Sequence, residues 1–156
     1  MSIIKNEIPI LESDMIIRKA NCQDHRAIWR ISREDLGYEC CSELVAQRLR
    51  HLDGKREVVF VAEINNNIIG YIHAETYNVL YYESMVNILG LAVASEYRKN
   101  GVGRALLSEA EIWAKGLNIK IIRLNSGATR KEAHAFYRAM GYDNQKEQIR
   151  FIKNLD

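Results

Sequence analysis

The stretch from Val86 to Trp113 restricts the architecture of this 156-residue chain more tightly than any other. Val86–Val93 is an apolar run with the length and branching of a buried strand. A polar turn follows, with glycines at 101 and 103. A helical pattern then places Val102, Leu106, Ala110, Trp113 and Leu117 on one face. Strand, glycine-bearing loop and helix start, in that order, suit an anion. The first amides of a helix have no partner inside it, and the helix dipole adds partial positive charge there. Glycines let the main chain approach a phosphate, and Arg98, Lys99 and Arg104 supply full charges.

Composition narrows the class. The length fits one domain with a single core. A net charge of +2, without a run of five basic residues, gives no nucleic-acid surface. No apolar segment approaches the ~20 residues that span a bilayer, and the N-terminus lacks a basic segment followed by a long apolar one. No membrane association or secretion is expected. Cys22, Cys40 and Cys41 are odd in number, and two are adjacent, which disfavours a bond between them. They fit a reducing cytoplasm, and no spacing of Cys or His predicts a metal site.

In chain order, residues 1–13 read as an extension, either loose or adding an edge strand, and 14–156 as one domain. Met15–Ala20 is a predicted strand. Asn21 and Asp24 resemble a reciprocal cap opening a helix that stops near Gly37. A second helix is predicted from Ser42 to Leu52, ended by Gly54. Val58–Ile64 and Ile68–Tyr77 form a hairpin about Asn65-Asn66-Asn67. Alternation places Ile69, Tyr71, His73, Glu75 and Tyr77 on one face, and Ile68, Gly70, Ile72 and Ala74 on the other. The His-Glu-Tyr row either faces solvent or lines a cleft. Ile119–Asn125 is a further strand. Thr129 and Glu132 spell a capping box for a helix carrying Ala133, Phe136, Tyr137 and Met140, with Gly141 at its end. Tyr142–Asp156 is expected to add two short strands. This order predicts an α/β protein, a mixed sheet with helices on both faces.

Two better-known glycine motifs do not fit. A P-loop signature is absent, and a dinucleotide fingerprint would need glycine where Leu106 stands. Arg98-Lys99-Asn100-Gly101-Val102-Gly103, preceded by Leu89-Gly90-Leu91-Ala92-Val93, instead resembles the acetyl-coenzyme A loop of the GNAT N-acetyltransferase superfamily. The segment Leu124–Tyr142, with Ala133-x-x-Phe136-Tyr137-x-x-x-Gly141-Tyr142, is similar to the strand-helix motif that closes the GNAT core. The two motifs span about 86–142. The resemblance implies a central sheet with a splayed parallel pair, and acetyl transfer from acetyl-coenzyme A to an amine in a ternary complex.

It also implies roles. Main chain at Leu91, Ala92 and Val93 pairs with the pantetheine arm, and amides of the segment Lys99, Asn100, Gly101, Val102, Gly103 and Arg104 hold the pyrophosphate. A backbone N–H at Leu91 or Ala92 serves the oxyanion. Tyr137 is the candidate general acid by motif position, although the same tyrosine fits an apolar core stripe. Asn125 is a candidate contact for the pantetheine arm, or a strand-end residue in water. Some relatives carry a glutamate base at the position of Asn87, which cannot take a proton. Glu75, with His73 and Tyr77 beside it, is the next candidate, acting directly or through water. Arg130 and His134 share a helix face, where Arg130 contacts coenzyme or an acidic acceptor, or only water. Glu34, Asp35, Tyr38 and Glu39, with Glu75 and Glu83, suit a cationic acceptor; a solvated helix end explains them equally well.

The reading is therefore a cytoplasmic N-acetyltransferase acting on a primary amine of a small cationic molecule. It uses acetyl-CoA as co-substrate and no metal. Dimerisation is common in the family. The alternatives are a protein or peptide N-acetyltransferase and a non-catalytic acyl-CoA sensor.

Overall fold

The computed structural model describes residues 14–143 and 146–156. The predicted extension over 1–13 lies outside the described residues. The chain divides into two compact units, Met1–Leu124 and Asn125–Asp156.

The first unit is a five-stranded sheet in the order β1 (Met15–Lys19), β2 (Glu57–Ile64), β3 (Asn67–Tyr77), β4 (Met85–Val93), β5 (Ile122–Leu124). All neighbours are antiparallel except β4 and β5, which run parallel through Val86↔Ile122, Asn87↔Arg123 and Ile88↔Leu124. The predicted strand at 119–125 is thus only three residues long. The turn between β2 and β3 uses Asn65 and Asn66, both at positive φ (48° and 63°). This matches the twist of a two-residue hairpin, so Asn67 is free to join the strand.

Helix α1 (His25–Leu36) begins one turn later than the cap at Asn21 suggests. The reciprocal Asn21–Asp24 box does form, but it closes a single 3-10 turn over Cys22–Asp24 before α1 starts. Gly37 ends α1 at φ 73°. Helix α2 (Ser42–Arg50) stops short of Gly54, with His51 as its C-cap. Both helices cover one face of the sheet: Ile28 and Ile31 of α1 pack with Val59, Val61, Tyr71 and Ala92, and Val45, Leu49 and Leu52 lie against this cluster. Ile68 belongs to the same cluster, against the simple alternation. A register shift opposite Ala62 and Glu63 adds one residue to β3 there and moves Ile68 to the Tyr71 side.

Helix α3 (Val102–Gly116) covers the other face, burying Val102, Leu106, Leu107, Ala110 and Ala114. Trp113 on that face is half-buried, and Leu117 lies beyond the helix. The helix ends at Gly116, and Leu117 is exposed. Close seating of α3 depends on Gly70 in β3. A Cβ there would stand 2.9 Å from the Ala92 carbonyl oxygen and 3.1 Å from Leu106 Cδ1.

The second unit holds helix α4 (Lys131–Ala139). The expected Thr129 cap does not form: Arg130 occupies the N-cap with no side-chain hydrogen bond. Gly141 sits at φ 90°, and the Tyr142 amide returns to the Tyr137 carbonyl at 2.9 Å, closing the helix as expected. The predicted final strands do not occur among the described residues. Residues 146–156 pair with no strand among the described residues, and Ile149, Phe151, Ile152 and Leu155 are exposed. An extended segment becomes a strand only when a ladder partner takes its backbone groups.

β1 is tied to α1 by a charged cluster. Arg18 donates to both Asp24 carboxylate oxygens at 2.8 Å and to Glu63 at 2.9 Å. Burial pushes the Asp24 carboxyl up. The Arg18 guanidinium and the Asn21 amide push it down further, and the net shift is downward. A depressed carboxyl contributes stability above the ordinary carboxylate range and loses it as pH falls through the folded value. Asp24→Ala should therefore lower unfolding free energy by about 2 kcal/mol at pH 7. In urea titrations its deficit against the wild type should shrink toward pH 3.

Candidate functional site

β4 is the axis of the site. Toward β3 it is paired along its whole length, from Tyr77↔Met85 to Gly70↔Val93. Toward β5 it is paired only at Val86–Ile88. Leu89–Val93 therefore has no strand on that side among the described residues. A bulge falls at the transition, where the register passes from Ala74↔Ile88 to His73↔Gly90 and leaves Leu89 unpaired and exposed. Bulges twist a strand away from its neighbour. An extended ligand could pair with this edge as an added strand would.

β4 leads through Ala94 and a short 3-10 turn at Ser95–Tyr97 into the start of α3. Lys99 (φ 62°) and Gly101 (φ 80°) both take the left-handed conformation, folding the loop so that Gly101 becomes the N-cap. The first amide to bond inside the helix is Ala105, to the Gly101 carbonyl at 3.0 Å. The amides of Val102, Gly103 and Arg104 precede it and have no partner in the helix. Lys99, Gly101 and Arg104 are exposed, and Asn100 donates to the Tyr97 and Arg98 carbonyls. This loop can receive a diphosphate on main-chain donors.

Arg98 is placed differently from the expectation of a phosphate-facing charge. Its Nε reaches the Val93 carbonyl at 3.3 Å, and a terminal nitrogen reaches Asp35 at 3.0 Å. The Asp35 carboxylate is accordingly not an open acidic contact for a cationic acceptor. Glu34, Tyr38 and Glu39 remain exposed at the end of α1.

The His-Glu-Tyr row is half-buried and internally bonded. His73 Nε2 lies 3.0 Å from Glu57. Asn87, opposite Glu75 in the register, donates to Glu75 Oε1 at 3.3 Å. Arg123 donates to Asn87 Oδ1 at 2.8 Å and lies 4.6 Å over the Tyr77 ring. The row is therefore a chain from Arg123 through Asn87 to Glu75. Arg123 had no sequence signal, because only the parallel register brings β5 beside Asn87.

Near Gly90 the Tyr71 and Ser32 hydroxyls are 2.7 Å apart, and Ser32 also bonds the Ile28 carbonyl at 2.7 Å. The single serine hydrogen goes to that carbonyl, so Tyr71 is the donor between them. Burial raises the Tyr71 pKa, more than the Ser32 contact lowers it.

In the second unit, burial raises the Tyr137 phenol above its ordinary value, against a smaller lowering by Arg130. It is protonated at neutral pH, as an acid must be. The ring stands edge-on to Phe136 and Tyr142. Asn125 is exposed. The next residue, Ser126, has a hydroxyl oxygen that is buried without a hydrogen-bond partner, the one such side-chain atom among the described residues. His134 bonds the Gly127 carbonyl at 2.9 Å, which accounts for that side chain structurally. Among the described residues no cluster of three metal-ligating side chains occurs, and no helix is long and apolar enough to cross a membrane.

Residues 18–142 match the model of the Acetyltransferase (GNAT) family. The chain belongs to this family. It is an N-acetyltransferase. It is 31% identical over 133 residues to an uncharacterized N-acetyltransferase of Methanocaldococcus jannaschii, covering 85% of this chain and 80% of the relative. It is 29% identical over 66 residues to an aminoglycoside N(6')-acetyltransferase type 1 of Acinetobacter baumannii, covering 42% of this chain and 45% of that one. The structure of AAC(6')-Iy with a bisubstrate analogue, CoA-S-monomethyl-acetylneamine, superposes with a TM-score of 0.77 at 17% identity, over 90% of this chain and 99% of the other. That likeness establishes a shared fold.

The N-cap glycine gives a clean backbone test. A Cβ on Gly101 would meet no atom within 4 Å, so Gly101→Ala adds only left-handed strain. Thermal unfolding should show a loss of about 1 kcal/mol, with no packing defect.

Proposed function

We propose that this N-acetyltransferase moves an acetyl group from acetyl-CoA to a primary amine of a small cationic molecule, within a ternary complex. The observation that carries the reading is the one-sided pairing of β4, continued into a loop whose helix-start amides are unpaired in the helix. The edge at Leu91–Val93 would hold the pantetheine arm, and amides from Lys99 to Arg104 the pyrophosphate. Asn125, assigned through its motif position, would be a polar contact for the arm.

The chemistry asks little of the side chains. A neutral amine nitrogen forms a bond to the thioester carbonyl carbon while the carbon–sulfur bond breaks. A main-chain N–H at Leu91 or Ala92 would stabilise charge gathering on the carbonyl oxygen. Tyr137, assigned through its motif position, would give its proton to the departing sulfur. Glu75 would accept the amine proton, directly or through water, in place of the glutamate that some relatives carry at the position of Asn87. Asn87, itself held by Arg123, would keep the Glu75 carboxylate in place. An amine of pKa near 9–10 is ~0.1–1% neutral at pH 7, so a modest base is enough.

The cationic acceptor rests on exposed Glu34, Tyr38 and Glu39 with Glu75, and on the aminoglycoside-acetylating relative. His73 is tied to Glu57 and would shape the pocket rather than take a proton. The reading also takes the cytoplasm as the compartment, consistent with three free thiols, and a homodimer as the assembly.

An assay of thiol release with acetyl-CoA against polyamines, aminoglycosides and peptide N-termini tests the proposal. Release is expected with polycationic small amines. Thermal stabilisation by acetyl-CoA without thiol release for any acceptor would point to a sensor, and turnover confined to peptides to the protein-acetylating alternative. Tyr137→Phe should lower kcat by ~10²–10⁴ if the phenol is the acid. Glu75→Gln should lower kcat by ~10²-fold without weakening acetyl-CoA binding, read by steady-state rates and calorimetry.

A further inference from the structure

Arg98 opens the glycine loop, yet the contacts of its guanidinium run backward, to the end of β4 and to α1. The Asp35 carboxylate that it meets is 7% exposed, whereas the Arg98 side chain is 51% exposed. A carboxylate so buried needs a counter-charge, and Arg98 supplies it at 3.0 Å. Burial raises the Asp35 pKa above its ordinary value, and the carboxylates of Glu96, in the turn after β4, and Glu34, on α1, add to the rise. Arg98 and the Ser95 amide oppose it.

The loop that follows is costly to hold. Lys99 sits at φ 62° without being glycine, and Gly101 takes φ 80° two residues later. Such backbone persists only where its surroundings over-determine it. Asn100 braces the turn from within by bonding the Tyr97 and Arg98 carbonyls. Arg98 anchors its entry from outside, from the Val93 carbonyl across to α1.

We propose that Arg98 and Asp35 form a clasp that positions the coenzyme loop from α1, and that Arg98 is a positioning residue rather than a ligand of the diphosphate. The inference rests on the proposed use of this loop for acetyl-CoA. It also links the helix end carrying Glu34 to the loop by a single ion pair.

A double-mutant cycle separates the two roles. Acetyl-CoA dissociation constants are measured by calorimetry for wild type, Arg98→Met, Asp35→Ala and the double variant, with circular dichroism confirming the fold. Asp35→Asn is the gentler substitute if Asp35→Ala unfolds. The clasp predicts that each single change weakens binding roughly fivefold to tenfold, and that the double variant is no worse than the weaker single. It also predicts a raised KM for acetyl-CoA with kcat little changed. Arg98→Lys, which keeps the charge but cannot span both Val93 and Asp35, should resemble Arg98→Met. If Asp35→Ala binds like wild type while Arg98→Met does not, if the losses multiply, or if Arg98→Lys binds like wild type, the clasp is overturned. Should the wild type give no heat with acetyl-CoA, the functional reading fails, and hydrogen exchange of the 95–104 amides still decides the clasp. Equal loss of protection in both single variants supports it, and unchanged protection refutes it.

Discussion

Everything about the candidate site follows from the unequal pairing of one strand. β4 has β3 along its full length and β5 for three residues only. A backbone edge left unpaired inside a protein is a liability unless something fills it. Here the stretch Leu89–Val93, which has no second strand beside it among the described residues, leads directly into the loop that starts α3. Edge donors and helix-start donors are thereby placed in succession on one run of chain. An extended ligand with an anionic end suits such a run better than a compact one.

The polar face of the sheet is built to a different rule. Its side chains are bonded to each other: His73 to Glu57, and Arg123 to Asn87 to Glu75. The Glu75 carboxylate accepts from the Asn87 amide, which the Arg123 guanidinium holds in turn, so its position is fixed from behind. The neutral Asn87 is therefore part of a relay of hydrogen bonds that orients the acid opposite it on β3.

Much of this was legible in the residues. The strand-loop-helix order at 86–116, the Gly37 and Gly141 helix ends and the Asn-Asn turn are local, and local chemistry sets them. The features that escaped are those fixed by distant partners. The bulge that moves Ile68 and the one at Leu89 depend on how two strands meet. Arg98 read as a charge for phosphate because its partner, Asp35, lies 63 positions away in the chain. Arg123 gave no signal for the same reason. The Thr129 capping box matched its pattern, but Arg130 took the cap position and the box was lost. At 146–156 strands were expected, but a strand also needs a neighbour, and a sequence does not show whether one is present.

Gly70 shows how far such dependence can reach. It carries no functional group and sits on β3, away from the glycine loop in the chain. Yet the absence of one carbon there lets Val102 and Leu106 settle against the sheet, and Val102 is the first residue of α3. The height at which that helix begins, and so the direction in which its leading amides point, is set by a void in another strand. Even a methyl group at this position would press on the Ala92 carbonyl and on Leu106, and so lift the start of that helix.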